Sequence, residues 1–501
     1  MTLLLEGLDL DRRDLLRKSG KALGGIALGG PSLFVAACGN GDPATARSRQ
    51  TFDREVAAGP WRDFRLVAEP GEVEVGRDTV YRTWLYNGRF PGPAIRAGEG
   101  ERLRIAVENR LPEVGTTVHW HGIPVPNAMD GVPGLTQEPI PPGGHMTYEY
   151  GATPAGSYMY HSHMDLQLER GLVGPLIIEE HTPHITYDRE HILMFDDFLP
   201  GVPKPLEELA RSGENVGGGM MGGMMGRGRG NGSAMGGMSG VTPPYAGLLI
   251  NGRLPSYPSE FAVRRGERAR LRLINPSSAT TYRIAIAGHP MIVTHADGQP
   301  VEPVTVDRLT LGMGERYDVI VEASSPGVWP IVAVPVEGNA PPARALLRYT
   351  DAGASGVRDR LPEGLSRGRA LRYADLQSTT PLPANGSPDR TFDLRLSGGM
   401  MMRPAVWTID GQAYPDAEPL EIREGERVRV NMSNMSMMLH PMHLHGHFFR
   451  VGNALKDTII VEPHMGRASF EFVADNPGRW LFHCHNLYHL HAGMAREFRY
   501  L

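Results

Sequence analysis

Three segments of this chain echo one another, each with a Gly-Glu-Arg unit followed by alternating apolar residues, and this repeat constrains the fold more than any other feature. The units begin at Gly100, Gly266 and Gly425. After each one, apolar residues alternate with arginines or other polar residues, which is the period-2 pattern of a half-buried strand. The units lie about 160 residues apart, so the repeat is a whole domain and not a solenoid unit. We expect the arginines of these strands to face solvent.

A second segment closes each repeat. A Gly turn and an aromatic residue lead into 161–163 in the first repeat, 331–334 in the second and 483–485 in the third. The first and third carry histidines where the second is aliphatic. Gly (62) and Pro (42) make up a fifth of the 501 residues, which favours turn-rich β structure. The sequence therefore predicts an all-β chain of three Greek-key β-sandwich domains with the middle one as a spacer. Their expected limits are 55–182, 190–350 and 390–501, with a linker at 351–389.

Residues 1–54 are predicted to be an export signal and tether. Arg12-Arg13 resembles a twin-arginine signal, an apolar stretch follows it, and Val35 to Cys38 resembles a lipoprotein cleavage box. We expect export to the periplasm or cell envelope, with Cys38 as a possible site of lipidation and of a lipid anchor. A short buried helix or an uncleaved anchor is the alternative. No other apolar run approaches the roughly 20 residues that span a bilayer. The mild net charge of -5 and the scattered arginines give no indication of nucleic-acid binding.

Four His-X-His pairs are the main candidates for metal ligands. In a strand, residues i and i+2 point to the same face, so each pair can present two imidazoles together. Imidazole suits copper, zinc, iron and nickel, and one pair alone would be uninformative. Two pairs in the first repeat and two in the third provide eight imidazoles, which suit a cluster and not a single ion. The pairs are His119-Trp120-His121, His161-Ser162-His163, His443-Leu444-His445 and His483-Cys484-His485.

The third repeat also carries the ligands of a second site. His440, Cys484, His489 and Met494 form the set of two imidazoles, one thiolate and a weak axial thioether that holds a blue electron-transfer copper. The first repeat has Ser162 at the position of Cys484, so only the third repeat can build this site. The alternative is a buried structural cysteine.

These motifs resemble those of the three-domain bacterial multicopper oxidases, a family that includes laccases and methionine-rich copper-efflux cuprous oxidases. The resemblance covers nearly the whole mature chain. It implies three cupredoxin-like domains and four copper ions per chain. The implied ligands are His440, Cys484, His489 and Met494 for type 1 copper; His119 and His443 for type 2 copper; and His121, His161, His163, His445, His483 and His485 for the two type 3 coppers.

The same resemblance implies one-electron oxidation of a small substrate coupled to four-electron reduction of O₂ to water. Cys484 would connect the sites, because its neighbours in the sequence are cluster ligands. Asp130 resembles the acidic residue that supplies protons near the cluster in this family, although it could also be a turn aspartate before glycine. Many bacterial members carry glutamate directly after the histidine at position 489, whereas this chain has Leu490. A second proton donor is not identified.

A methionine-rich insert is expected at 217–240, within the second domain. Its glycine content predicts a mobile loop, and thioethers are soft ligands that select Cu(I). An adaptable apolar surface is the alternative. The possible Cu(I) ligands are Met220, Met221, Met224, Met225, Met235 and Met238, and further methionines stand at Met400, Met401, Met402, Met435, Met437 and Met438.

The sequence thus predicts a monomeric oxidase of Cu(I), phenols or aromatic amines with O₂ as acceptor. Two alternatives remain. A copper-sequestering periplasmic lipoprotein would store metal without turnover. A copper nitrite reductase shares the cupredoxin fold but lacks a trinuclear cluster, and four His-X-His pairs disfavour it.

Overall fold

The computed structural model describes residues 59–212, 242–351, 361–382, 386–400 and 403–501. The predicted export signal with Cys38 and the methionine-rich insert lie outside the described residues, as do Met401 and Met402. All described residues belong to one compact unit. Their strands form three pairs of sheets in chain order. This confirms the all-β prediction, while the domain limits stay a prediction.

The first pair of sheets contains two four-stranded layers. Its strands are β1 (Trp61–Gly76), β2 (Thr79–Tyr86), β3 (Ile95–Gly98), β4 (Arg102–Asn109), β5 (His119–His121), β6 (His145–Gly151), β7 (Gly156–His161) and β8 (Val173–Glu179). One layer has the order β2-β1-β4-β6 and the other β3-β8-β7-β5. Strand β4 follows the first Gly-Glu-Arg unit and pairs in parallel with β1. Its apolar residues alternate inward as predicted, so one face of the strand is buried.

The second pair of sheets has six and five strands. Its elements are β9 (Arg189–Phe198), helix α1 (Leu206–Ser212), β10 (Gly247–Ile250), β11 (Glu260–Val263), β12 (Arg268–Ile274), β13 (Tyr282–Ile286), β14 (Met291–Ala296), β15 (Gln299–Val306), β16 (Leu309–Leu311), β17 (Arg316–Glu322), β18 (Val328–Pro335) and β19 (Ala343–Tyr349). The sheet orders are β10-β9-β12-β17-β14-β15 and β11-β19-β18-β13-β16. Strand β12 again pairs in parallel with the first strand of its pair, β9.

The third pair also has six and five strands, and it carries the short helix that follows Cys484. Its elements are β20 (Arg390–Met400), β21 (Arg403–Ile409), β22 (Leu420–Ile422), β23 (Arg427–Asn434), β24 (His440–Leu444), β25 (Phe449–Val451), β26 (Ala454–Lys456), β27 (Thr458–Val461), β28 (Arg467–Val473), β29 (Arg479–Cys484), helix α2 (Leu487–His491) and β30 (Ala495–Tyr500). The sheet orders are β21-β20-β23-β28-β25-β26 and β22-β30-β29-β24-β27. The parallel pairing of β20 with β23 repeats the arrangement of the other two pairs.

The prediction of solvent-facing arginines is wrong for the second repeat. Arg270 and Arg272 are each 2% exposed. Both guanidinium groups bind the buried carboxylate of Asp318, and Arg272 also donates to Ser157 of the first pair of sheets. These strand faces lie against another part of the protein and not against water, and a buried carboxylate compensates the buried charges.

Short pieces connect the sheets. Single 3-10 turns lie at Asn127–Met129, Glu363–Leu365 and Tyr373–Asp375. The expected linker packs along the second and third pairs of sheets. Ser378 forms an isolated β-bridge with Val301, and Gln377 forms one with Asn453. Among the described residues, no helix is long and apolar enough to cross a membrane.

Candidate metal centre

Strand register brings the predicted histidine pairs together. His119 in β5 lies opposite His161 in β7. His443 in β24 lies opposite His483 in β29. The first and third domains therefore each contribute two neighbouring His-X-His pairs from one sheet, as the repeat predicted. All four residues are buried.

The eight imidazoles form one cluster with an internal order. His121, His161 and His485 form one triplet, with ring centroids 4.8 to 5.9 Å apart. His163, His445 and His483 form another, with centroids 5.1 to 5.3 Å apart. The remaining two each stack on a member of a triplet at 3.8 Å, His443 on His121 and His119 on His445. One grouping of these rings is therefore two sets of three and the pair His119 and His443, whose centroids are 5.9 Å apart. His119 also lies 5.3 and 5.5 Å from His161 and His163.

Hydrogen bonds fix the orientation of most of these rings. The Nδ1 atoms of His119 and His443 lie 2.8 and 2.9 Å from the backbone carbonyls of Asp130 and Asp457. Those of His161 and His483 lie 3.0 and 2.9 Å from the carbonyls of Ser162 and Cys484. Because a carbonyl only accepts, each Nδ1 carries the proton and each Nε2 keeps its lone pair.

The free nitrogens fit metal ions. Within the described part of the chain, the Nε2 atoms of His119, His161, His163 and His443 are buried without a hydrogen-bond partner, as are both nitrogens of His121 and His485. Buried polar atoms are rarely left unsatisfied in proteins. The Nε2 atoms of His445 and His483 approach to 3.0 Å. Burial lowers the pKa of His161 to about 3 and holds that of His485 well below its ordinary range, so the rings are neutral. Neutral imidazoles are the form that binds copper.

Asp130 lies against two of these rings. Its carboxylate is completely buried, with Oδ2 3.0 Å from Nδ1 of His445 and Oδ1 3.3 Å from Nδ1 of His119. The carboxylate therefore holds the His445 proton on Nδ1 and leaves Nε2 free. Its predicted role as a proton source stays a prediction.

A second group of candidate ligands lies around Cys484. Sγ of Cys484 is 3.5 Å from Nδ1 of His440 and 3.6 Å from Nδ1 of His489. The three residues form a group that could hold one ion, and all are buried. Met494 is also buried, and its backbone carbonyl accepts from the amide of Cys484 at 3.1 Å. Burial raises the pKa of the Cys484 thiol well above its usual range, so a metal ion is needed to hold it as thiolate.

Neighbouring residues fix this second group. Ser436 Oγ lies 2.7 Å from Nε2 of His440, which leaves Nδ1 of that ring directed at Cys484. Asn486 caps helix α2 by accepting from the amides of Tyr488 and His489. This cap sets the position of His489 one turn after the cysteine. The ring of Trp407 covers His489.

Sequence reasoning missed three residues at the cluster. Asp457 and Gly314 lie against cluster histidines, and Arg316 binds the carboxylate of Asp457. Two of them come from the middle domain, which supplies no histidine to the cluster yet is more than a spacer. Gly314-Glu315-Arg316 is a fourth Gly-Glu-Arg sequence, outside the three repeat positions. This additional occurrence was the sequence signal that could have identified the two residues.

Three exposed methionines form a patch beside the second group. Met435, Met437 and Met465 are 48%, 46% and 57% exposed, and they are the exposed methionines of the described ranges. The amide of Met465 donates to the carbonyl of Asn434, and the amide of His464 donates to that of Ser436. These bonds hold the two segments of this methionine patch side by side, and Ser436 connects them to His440. Met438 is buried and does not belong to the patch.

Comparison with known proteins gives one consistent result. Three family models described as multicopper oxidase match residues 68–183, 226–352 and 388–501. The chain is 38% identical to the multicopper oxidase MmcO of Mycobacterium tuberculosis, over 100% of this chain and 99% of that protein. It is 31% identical to a copper resistance protein A homolog of Pseudomonas syringae pv. tomato, over 91% of this chain and 99% of that protein. The structure of a laccase from Botrytis aclada superposes with a TM-score of 0.74 at 27% identity, covering 90% of this chain and 89% of that one.

Proposed function

This chain belongs to the multicopper oxidase family, and we propose that it holds four copper ions and oxidises Cu(I), with phenols and aromatic amines as further substrates. As a member of the family it is a copper-containing oxidoreductase with O₂ as acceptor. The finer points of copper number, ligand assignment and substrate are supported by the geometry described above.

The ligand assignment follows the grouping of the rings. His121, His161 and His485 would hold one type 3 copper, and His163, His445 and His483 the other. His119 and His443, the two rings that stack on the triplets, would hold the type 2 copper. His440, Cys484, His489 and Met494 would hold the type 1 copper. The orphaned ring nitrogens support the first three positions and the Sγ to Nδ1 distances support the fourth.

Cys484 is the single observation that carries the proposal. Its side chain faces His440 and His489, while its two neighbours in sequence, His483 and His485, belong to different triplets of the cluster. Bound copper supplies one-electron chemistry and the reduction of O₂. The chain supplies a covalent path of three residues between the place where electrons enter and the place where O₂ reacts. Storage of copper without turnover has no need of such a path.

The other residues have positioning roles. Backbone carbonyls and Asp130 fix the protonated nitrogen of each ring, so that the ligand nitrogen points into the cluster. Burial lowers the pKa of the six rings in the two triplets and keeps them neutral: His121, His161, His163, His445, His483 and His485. Trp407 and Ser436 hold the two imidazoles of the type 1 group in place.

The methionine patch supports Cu(I) as a substrate. Thioethers bind Cu(I) in preference to harder ions, and three of them are exposed beside the segment that bonds to His440. The electron from an ion held there has a short route through Ser436 and His440. The insert at 217–240 would add further thioethers, as its sequence predicts.

Steady-state oxidation of Cu(I), Fe(II) and a phenol by one preparation tests this proposal. Replacing Met435, Met437 and Met465 together by Leu keeps the apolar surface and removes the thioethers. We expect a KM for Cu(I) raised roughly tenfold, the phenol KM unchanged and the blue absorbance retained. Met146→Leu, a part-buried methionine of the first domain, is the matched control. Unchanged Cu(I) kinetics in the triple variant would return the substrate to an unspecified reductant.

We further propose that the protein is exported as a monomer. The Arg12-Arg13 signal and the lipobox-like residues before Cys38 support a twin-arginine route and a lipid anchor. Mass measurement of the N-terminal peptide from envelope fractions tests this: a diacylated Cys38 supports the anchor, and an unmodified Cys38 contradicts it.

A further inference from the structure

A buried ion pair between the middle and third domains lies at the edge of the histidine cluster. Nη1 and Nη2 of Arg316 bind Oδ1 and Oδ2 of Asp457, each at 2.7 Å. Both side chains are at most 1% exposed. Arg316 also donates to the backbone carbonyls of Gly314 in the middle domain and Ser157 in the first domain, each at 3.0 Å from a guanidinium nitrogen. Its planar, bidentate geometry fixes the carboxylate in both position and rotation.

The carboxylate of this pair faces two cluster histidines. Oδ1 of Asp457 lies 3.4 Å from Nε2 of His121 and 3.4 Å from Nδ1 of His443. His443 also has a closer acceptor, the Asp457 carbonyl at 2.9 Å. The Asp457 carboxylate is the acidic group that lies against the His121 ring, and it lies on the Nε2 side of that ring. The proton of His121 is therefore favoured on Nε2, and Nδ1 keeps the lone pair.

Asp457 is placed as a support and not as a ligand. Its two carboxylate oxygens already accept from Arg316, and Oδ1 also accepts from Thr458 Oγ1 at 2.9 Å. The positive guanidinium within 3 Å would repel a metal ion bound to the same oxygens.

The backbone next to His121 is built around this pair. Gly122 has a φ of +87°, and a Cβ there would lie 2.2 Å from Nη2 of Arg316 and 2.7 Å from Oδ2 of Asp457. Any side chain at this position would therefore displace the ion pair. The glycine that ends the first His-Trp-His-Gly motif is thus required by a residue of the copper-free domain.

We propose that Arg316 is a positioning residue of the trinuclear site: it holds the Asp457 carboxylate 3.4 Å from Nε2 of His121, where the negative charge favours the proton on that nitrogen, so that this histidine presents Nδ1 to copper. His119, His161, His443, His445 and His483, whose Nδ1 atoms face acceptors, present Nε2. The middle domain therefore contributes to the cluster through this guanidinium, as well as through the close approach of Gly314, although it supplies none of the proposed ligands.

The test is copper retention in Arg316→Gln and Arg316→Lys. Purified holoprotein is exposed to a chelator, and copper per chain, blue absorbance and the type 2 electron paramagnetic resonance signal are followed over time. We expect cluster copper to be lost 10- to 100-fold faster in Arg316→Gln, as is typical when a residue that orients a ligand is removed. Arg316→Lys keeps the charge but not the bidentate contact, and an intermediate rate is expected. The type 1 absorbance should stay, which also shows that the third domain is folded.

Arg270→Gln is the matched control. Arg270 is also buried in the same domain and binds Asp318 at 2.6 Å. Within the described residues, its hydrogen bonds and ion pairs reach Asp318, Glu180 and His295 and no cluster histidine. This variant should lose thermal stability and keep the wild-type rate of copper loss. Wild-type retention and an unchanged type 2 signal in either Arg316 variant would overturn the proposal, and so would equal copper loss in Arg270→Gln. Should Arg316→Gln not fold, Arg316→Lys decides by the same criteria.

This inference rests on the proposed copper sites, and the two can fail separately. A wild-type protein without cluster copper would defeat the sites themselves. A full copper complement in wild type and in the Arg316 variants would defeat only the role given to Arg316.

Discussion

The ring of Trp407 stacks on the ring of His489, with centroids 3.8 Å apart and planes inclined by 25°. Trp407 is 1% exposed, and His440 lies 5.3 Å from it by ring centroid. The stack joins strand β21 to helix α2, and it limits the rotation of a ligand that comes from a helix of only five residues. The geometry at Cys484 therefore depends on a packing contact as well as on the ligands themselves.

Trp407→Phe should loosen this contact without removing a ligand. We expect faster loss of type 1 copper to a chelator and a shifted blue band, with cluster copper unchanged. The stability cost should stay below the roughly 3–5 kcal/mol of truncating a buried aromatic residue to Ala. Absorbance and copper analysis provide the measurement. Trp329→Phe, which removes a tryptophan from beside His289 in the middle domain, is the control. Identical copper loss in both variants would contradict a specific role for Trp407.

Gly314→Ala should damage the cluster from the middle domain. Gly314 has a φ of +86°, and a Cβ there would lie 2.9 Å from Cδ2 of His485 and 3.0 Å from Cε1 of His121. Gly266→Ala is the control, because Gly266 has a φ of +84° and open space around its Cα. Both variants carry the left-handed strain of about 1–2 kcal/mol. Only Gly314→Ala should reduce cluster copper per chain, and equal copper contents in the two would show that the contact is unimportant.

Asp130→Asn separates proton supply from ligand orientation. The amide oxygen can still accept from Nδ1 of His445, so all coppers and the anaerobic reduction of the type 1 site should be retained. The reaction of the reduced protein with O₂ should slow, by up to roughly 10²–10⁴-fold if Asp130 is the proton source. Stopped-flow measurement of the two half-reactions distinguishes them. If anaerobic reduction slows instead, Asp130 acts in the other half of the cycle.

The fold and the clustering of the candidate ligands could be predicted from the sequence because both follow from short-range patterns. Period-2 alternation after each Gly-Glu-Arg unit predicted strands such as β4 and β23, and His-X-His spacing predicted paired ligands. The presence of serine at 162 and cysteine at 484 in equivalent repeats indicated which domain holds the second site. These signals require only the geometry of a single strand.

The residues that sequence reasoning missed depend on contacts between distant segments. Arg316 and Asp457 meet because the second and third domains pack together, and no local pattern encodes that packing. Arg270 and Arg272 were predicted at the surface, since alternation identifies which side chains share a face but not what covers it. Met465 joins Met435 and Met437 only through backbone bonds between two segments of the third domain.

Deletion of residues 217–240 should affect two substrates in opposite directions. The segment contains none of the proposed ligands of the four coppers, so copper content, blue absorbance and thermal stability should stay nearly unchanged. The KM for Cu(I) should rise because thioether ligands are lost. Bulky organic substrates should be oxidised as well or better, if the loop obstructs the type 1 site. A general loss of folding could not produce this pair of changes, and unaltered Cu(I) kinetics would exclude the insert from copper capture.

Cys484→Ser tests whether electrons enter at the site built on Cys484 and pass along the chain to the histidine cluster. The serine removes the thiolate while the backbone between His483 and His485 is kept. Copper per chain, visible absorbance and O₂ consumption with a phenol are measured on wild type and variant together. We expect about four coppers and a blue colour in wild type. The variant should hold about three coppers, have no blue colour and oxidise no substrate. Oxidation at the wild-type rate in a colourless Cys484→Ser protein would contradict it.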